Sequence, residues 1–403
     1  MSTSILYHGF GLHGHHYVKT EYEGGAIYFH VRLKPRHLRC PRCGSENVIR
    51  RGWNQRTFKG LPVGSRPVRI VLPIPRVECR DCEVVRQVKV PFADRRRSYV
   101  RPFERYALEL CDVMTIQDVA NHLEVSWGLV KGIHKGHLKR NYERPRLADV
   151  EYIAIDEISL GRGKNYVTVV LDLQTGAVLF VGEGKGADSL HPFWRRVKRS
   201  RADIKAVATD MSEAYISAVG DNLPEADLVF DRFHVVKLMN EKLTDLRRDL
   251  QREAEEMKKE TLKGTRWLLL KNPGNLDRGG DESRRLQEAL QLNKPLALAY
   301  YLKEDLRQFW EQKSKAKARD FLQDWIRRAK ASGVGVLQTM ANTLQGHRRG
   351  LLAWYDHPIS TGPLEGTNNK IRTLNKQAYG YRDREYFTLR IYAMHEQKYA
   401  LIG

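Results

Sequence analysis

Two kinds of residue could do chemistry in this 403-residue chain: paired cysteines near one end, and carboxylates at the ends of apolar runs. Cys40-Pro-Arg-Cys43 and Cys79-Arg-Asp-Cys82 are Cys-x-x-Cys knuckles, the spacing at which two thiolates meet one tetrahedral zinc. The intervening "RPVRIVLPIPRVEC" alternates like a strand and can return the second knuckle to the first. A zinc ribbon with one structural ion follows. A redox pair fits less well, because such a pair opens a helix. The fifth cysteine, Cys111, lies in an apolar helical pattern and reads as core. Among the carboxylates, Asp156 emerges near the end of "EYIAIDEISL" and Asp210 near the end of "IKAVATDMS", while "ADLVFDRFHVVK" runs out into Asp231 and His234. Two such acids in one sheet can converge on a divalent cation, since hard cations take carboxylate oxygens. A strand-end Asp is also a common turn residue. Glu365 stands apart in "HPISTGPLEGTNNKIR", where a helix opens and an acid suits the dipole whatever else it does. Asn369, Arg372 and Lys376 follow four, seven and eleven places on, which puts them on its own helical face, suited to a DNA backbone.

These residues need elements to position them. "EYIAIDEISL" is followed by "NYVTVVLDLQTGAVLFVGEG", two strands joined at a turn over 174–176, then by a helical "DSLHPFWRRVKRS", the strand ending in Asp210, a helical "EAYISAVGDNLP" and the strand ending in Asp231. Upstream, "TIQDVANHLEVSWGLVKGIHKG" reads as a helix-turn-helix. Thr115 with Asp118 forms a capping-box variant, Ser126 caps the second helix, and small Ala120 permits a close approach. The second helix would present Lys131, His134 and Lys135 to a major groove. An ordinary helical hairpin competes, because the turn lacks its usual glycine. From 237 to about 355 the spacing is helical, interrupted at "KNPGNLDRGGDES". Its Trp267, Trp310, Trp325 and Trp354 read individually as core, although an exposed one would stack on an unpaired base.

The charge names the partner. A net +21 points to a polyanion, most simply nucleic acid. Between Arg32 and Arg105 there are 20 Lys/Arg against 6 Asp/Glu, so most of the excess lies in one segment, which includes the phosphate-seeking Arg95, Arg96 and Arg97. With 41% hydrophobic residues the chain is not disordered. No run approaches the roughly 18–20 apolar residues of a membrane span, and the first residues lack a signal-peptide pattern, so a cytoplasmic protein is expected.

The two cysteine pairs, "AIDE" at 154–157, "ATDMS" at 208–212, "DRFHVVK" at 231–237, "RWLLLKNPGNL" at 266–276 and "EGTNNKIR" at 365–372 together resemble insertion-sequence transposases of the ISL-three family along nearly the full length. The resemblance implies a multidomain α+β chain: zinc ribbon with basic arm (1–95), helix-turn-helix (96–146), ribonuclease-H-like α/β core (147–236), all-α insertion (237–355) and the last core helices (356–403). It also implies that Glu365 joins Asp156 and Asp210 as the third catalytic acid, holding two magnesium (or manganese) ions, with Asp231 and His234 supporting the core. The expected activity is cleavage of double-stranded DNA at element ends and joining of the 3′-hydroxyls to target DNA, by a homodimer on the ends. A non-catalytic DNA-binding regulator is the alternative, and the three acids speak against it. A tyrosine recombinase needs His-x-x-Arg well upstream of its nucleophile, whereas the Arg- and Tyr-rich tail offers only His395 to Lys398 directly before Tyr399.

Overall fold

The computed structural model describes residues 4–161, 165–253, 265–271, 273–277 and 281–395. The expected helical stretch over 254–264, Asn272, and Lys398 and Tyr399 lie outside them. Two compact units divide the chain between Glu143 and Arg144.

In the first unit, a short helix α1 (Ile5–His8) precedes strands β1 (His15–Glu23), β2 (Ala26–Leu33), β3 (Val48–Val63), β4 (Arg66–Cys79) and β5 (Val85–Gln87). They form a sheet of order β1-β2-β4-β3 with β5 added to β4. The alternating run between the knuckles is β4, and its even positions Val68, Ile70, Leu72 and Ile74 are buried, as period-2 patterning requires. Helices α2 (Arg101–Cys111), α3 (Ile116–His122) and α4 (Trp127–Tyr142) follow. The caps fall where the sequence places them. Thr115 Oγ1 accepts from Asp118 N at 3.1 Å, and Ser126 Oγ accepts from Leu129 N at 3.3 Å. Glu124 supplies the left-handed turn residue with φ of 50°, which is why no glycine is needed there. Ribbon and helices share one core: Phe58, Val68 and Ile70 join Val100, Phe103, Val119, Ala120, Val130 and Ile133. Cys111 is buried in that core, as its pattern predicts.

In the second unit, strands β6 (Tyr152–Ser159), β7 (Tyr166–Asp172), β8 (Val178–Glu183), β9 (Ala206–Thr209) and β10 (Asp227–Phe230) form a sheet of order β10-β9-β6-β7-β8. β6, β7 and β8 are an antiparallel meander, while β9 and β10 run parallel to β6. The 174–176 turn is held by Asp172 Oδ1, which accepts from Gln174 N at 3.0 Å, and by Gly176 at φ 76°. Helices α5 (His191–Arg199) and α6 (Glu213–Asn222) are the crossovers that parallel pairing demands, and Phe193, Trp194, Tyr215 and Val219 pack onto Ile153, Ile155 and Val207. Helix α7 (Arg232–Glu253) leads into the insertion. Its core joins Val235 and Met239 to Leu302, Trp310, Trp325 and Leu344, so the inserted helices bury apolar surface among themselves. Trp354 packs at the edge of that core, but Trp267 is 65% exposed. The chain returns through helix Arg348–Ala353, which packs on β10, and then forms the late helix Gly362–Gln377 and the helix Arg384–Ala393.

Gly350 marks that return. A Cβ at this position would meet the Phe230 ring at 2.5 Å and Leu228 O at 3.1 Å, so only glycine lets the helix lie on β10. Gly350→Ala is expected to destabilise the second unit by about 1–3 kcal/mol, the usual cost of overpacking. Urea unfolding checks it, and an unchanged midpoint would show that the close packing is not needed.

Candidate active site and zinc centre

Parallel pairing sets the register of the acids. Ala154 pairs with Ala208 and Phe230 with Thr209. Asp156, inside β6, therefore stands level with Asp210 and Asp231, which immediately follow β9 and β10, with neighbouring strands about 4.8 Å apart. Alternation along β6 sends Asp156 and Glu157 to opposite faces. Asp156 Oδ2 accepts from Asn368 Nδ2 of the late helix at 2.8 Å, and its Oδ1 accepts from Glu157 N at 2.8 Å. Glu157 instead accepts from Tyr215 OH at 2.8 Å, and the Tyr215 hydroxyl sits beside Thr168, itself reached by Ser189 at 2.7 Å. Burial pushes the Tyr215 hydroxyl pKa up, so it stays a donor to Glu157.

Burial also pushes the Asp156 carboxyl up. The Glu157 N–H and His234 pull it back, while Asp210 and Glu157 add to the rise. His234, in the first turn of α7, is thus near enough to act on Asp156. Asp210 Oδ1 accepts from Ser212 N at 3.0 Å, leaving Oδ2 for another partner. Asp231 is buried and committed elsewhere: it accepts the Thr361 hydroxyl and, at 3.3 Å, Phe233 N. Thr361 immediately precedes the late helix, so this bond ties the helix start to the end of β10.

The late helix buries Leu364, Asn368, Ile371 and Leu374, and Asn375 Nδ2 donates to Leu160 O at 2.9 Å. Glu365 is exposed in its first turn, about one turn before Asn368. Asn369, Arg372 and Lys376 are exposed on the same helix, with Arg372 donating to Asn369 at 2.9 Å. Asp156, Asp210 and Glu365 do not crowd as thiolates do. Among the described residues, only Cys40, Cys43, Cys79 and Cys82 form a group of three or more metal-ligating side chains with ligand atoms within 4.8 Å of one another. The Asn368 Oδ1 atom is buried without a hydrogen-bond partner. An orphaned acceptor next to a carboxylate pair fits a hydrated hard cation, which brings both charge and water protons.

The cysteines fit zinc. Cys40 and Cys82 sulfurs are 3.6 Å apart and those of Cys43 and Cys79 3.5 Å, close to the roughly 3.8 Å separation that tetrahedral Zn–S bonds require. Each knuckle turns on a left-handed residue just after its second cysteine, Gly44 at φ 82° and Glu83 at φ 53°. Asp81 of the second knuckle accepts from Ser45 and, at 2.9 Å, from Asn47 beside the first. The Cys43 N–H pulls the Cys40 thiol down, whereas burial and the neighbouring thiols push Cys82 up. Four such sulfurs can all ionise only around a cation.

On the DNA-binding side, Arg95, Arg96 and Arg97 are exposed before α2. In α4, Lys131 lies 4.9 Å from the centre of the exposed Trp127 ring, and Lys135 is half-buried. His134 corrects the expectation. It is only 2% exposed, next to Ile133 on the side of α4 that packs inward, so it cannot face a groove.

The comparisons agree with this anatomy. A family model described as "Transposase" matches residues 153–391. Another, a zinc-finger of transposase IS204/IS1001/IS1096/IS1165, matches 36–82, and a helix-turn-helix domain of transposase family ISL3 matches 88–136. The transposase for insertion sequence element IS1001 of Bordetella parapertussis is 33% identical over 369 residues, covering 90% of each chain. The chain belongs to the ISL3 family of transposases. The transposase for IS1557 of Mycobacterium tuberculosis is 28% identical over 381 residues, covering 87% of this chain and 85% of that one. The Drosophila P element transposase strand transfer complex is similar at a TM-score of 0.38 and 11% identity, over 76% of this chain and 94% of that one. As an ISL3 transposase the chain is a DNA-binding enzyme of transposition.

Sequence reasoning missed three site residues: Asn368, Thr361 and Tyr215. The signal for Asn368 is an amide at a buried position of an amphipathic helix, three places after an exposed acid; Thr361 and Tyr215 carry no comparable pattern.

Zinc analysis of the purified ISL3 protein should find about one ion per chain. Stripping it should abolish amide protection around 40–82 and leave the β6–β10 sheet protected, because structural zinc stabilises its own surroundings. Retained protection at the knuckles in metal-free protein would refute a structural zinc.

Proposed function

We propose that this ISL3 transposase cleaves and joins DNA strands with divalent metals held by Asp156, Asp210 and Glu365. The observation that carries the reading is the tether between Asp156 and Asn368. It links the acid on β6 to the helix that bears Glu365, while strand register puts Asp210 beside Asp156. Two magnesium or manganese ions at these acids would polarise the attacking and leaving oxygens of the scissile phosphate. Asn368 orients Asp156, and Asp231 with Thr361 fixes the start of the late helix. His234, whose charge acts on Asp156, supports that acid. Asn369, Arg372 and Lys376 hold the DNA backbone. Arg95, Arg96, Arg97, Lys131 and Lys135 dock the duplex, and the zinc ribbon supports that surface. The natural substrates are double-stranded element ends and target DNA. Two ends need two such sites, so the working form on DNA is a homodimer, acting in the bacterial cytoplasm.

Glu157 is the rival acid, and the Tyr215 bond argues against it. In single-turnover cleavage of a duplex carrying the element's own terminus, Glu365→Gln should cut about a thousandfold more slowly or worse, since several kcal/mol of charge stabilisation goes with the ion. DNA binding should survive. Arg372→Ala should lose far less cleavage and show a shallower salt dependence of binding. Normal cutting by Glu365→Gln together with a dead Glu157→Gln would reassign the site.

A further inference from the structure

The ribbon sheet and the helix-turn-helix border an open cleft that none of the expected DNA-binding residues lines. Its volume is about 710 Å³, and its walls include Lys59 and Arg69 from the sheet, Ser98, and Asn121, Glu124 and Ser126 from around the turn between α3 and α4. Lys59 and Arg69 are directly opposite each other on antiparallel β3 and β4. Like charges so placed destabilise a sheet unless a counter-charge relieves them. Neither cation makes an ion pair among the described residues, although Arg69 donates to Val68 O at 3.1 Å. Both are half-buried. Burial, then the Arg69 charge, lowers the Lys59 pKa. The cleft therefore concentrates positive charge that the protein itself does not neutralise.

Other features of the cleft suit an anion of tetrahedral oxygen. Ser126 Oγ accepts from Leu129 N, which leaves its own proton to donate. It is also the N-cap of α4, a 16-residue helix whose dipole favours negative charge at that end. The position of the cleft narrows the source. Exposed Trp127 begins α4 immediately after Ser126, so an anion held here lies beside the end of the helix that enters a major groove. Glu124 on the rim is the one acid of the lining.

We propose that this cleft clamps a DNA backbone phosphate between Lys59 and Arg69, so that the ribbon sheet and the helix-turn-helix grip one stretch of duplex as a single docking face. The shared core of the two elements keeps the clamp and the recognition helix in fixed register, and phosphate contacts position a protein without reading sequence. Glu124 repels the same phosphate and tempers the grip.

The test uses the full chain and a mixed-sequence duplex of about 30 base pairs, roughly three helical turns. Fluorescence anisotropy at salt from about 50 to 200 mM gives affinity and its salt slope. The double variant Lys59→Met, Arg69→Met should bind roughly tenfold more weakly, with the slope reduced by about 1. Its melting temperature should equal or exceed that of the parent, because a like-charge pair has gone. Glu124→Gln should bind about two- to fivefold more tightly. A neutral methylphosphonate walked along the duplex should weaken the parent at one phosphate where the double variant is indifferent. Unchanged affinity and slope in the double variant would overturn the clamp, as would a weakened affinity accompanied by a lowered melting temperature and an unaltered methylphosphonate pattern.

Discussion

The strand register that brings three carboxylates level is the constraint on which the candidate site of the second unit depends. Strand pairing leaves Asp156, Asp210 and Asp231 level with one another, and the Asp210 and Glu157 charges add to the rise that burial gives the Asp156 carboxyl. Each acid is relieved in a different way. Asp231 is given up to structure, taking the Thr361 hydroxyl and a backbone N–H. Asp156 receives Asn368 and the Glu157 N–H, with His234 nearby. Asp210 has one oxygen on Ser212 N and the other left over. In the proposed chemistry a hard cation would take Asp156 and the oxygen that Asp210 has left over.

Closing the row requires a residue more than two hundred positions away. The late helix is brought to β6 by Asn368 and Asn375, by its buried Leu364, Ile371 and Leu374, and by the Thr361 anchor. The helices between can be long because they bury their own core, from Val235 through Trp325 to Leu352. Extending a loop costs little additional entropy once it has its own packing. Gly350 then allows the returning helix to touch β10, directly before the chain reaches Thr361.

Local rules were enough where one residue type does one job at a fixed spacing. The cysteine pairs, the caps at Thr115 and Ser126, the alternation of β4 and the strand ends before Asp210 and Asp231 all fall where patterning puts them, while β6 runs three residues past Asp156. What was hidden depends on tertiary neighbours. His134 and Lys131 are equivalent in sequence terms as polar residues of a helix, and only packing against the ribbon core decides that one faces inward. The ribbon and helix-turn-helix read as separate modules because nothing local announces that Phe58 and Val119 will share a core. Trp267 reads as core by type yet lies outside, while its neighbours Leu268 and Leu269 are buried. Asn368 looks like one more amide in "EGTNNKIR" until the partner strand is known.

Whether three acids so distant in sequence serve one metal site can be measured on the protein itself. Iron(II) loaded in place of magnesium, with ascorbate and peroxide, cuts the backbone next to wherever the ion is held. Cuts are predicted beside Asp156, Asp210 and Glu365 together, suppressed by excess magnesium and absent in Asp156→Asn. Cutting beside Asp156 and Asp210 with none around Glu365 would contradict a site completed by the late helix.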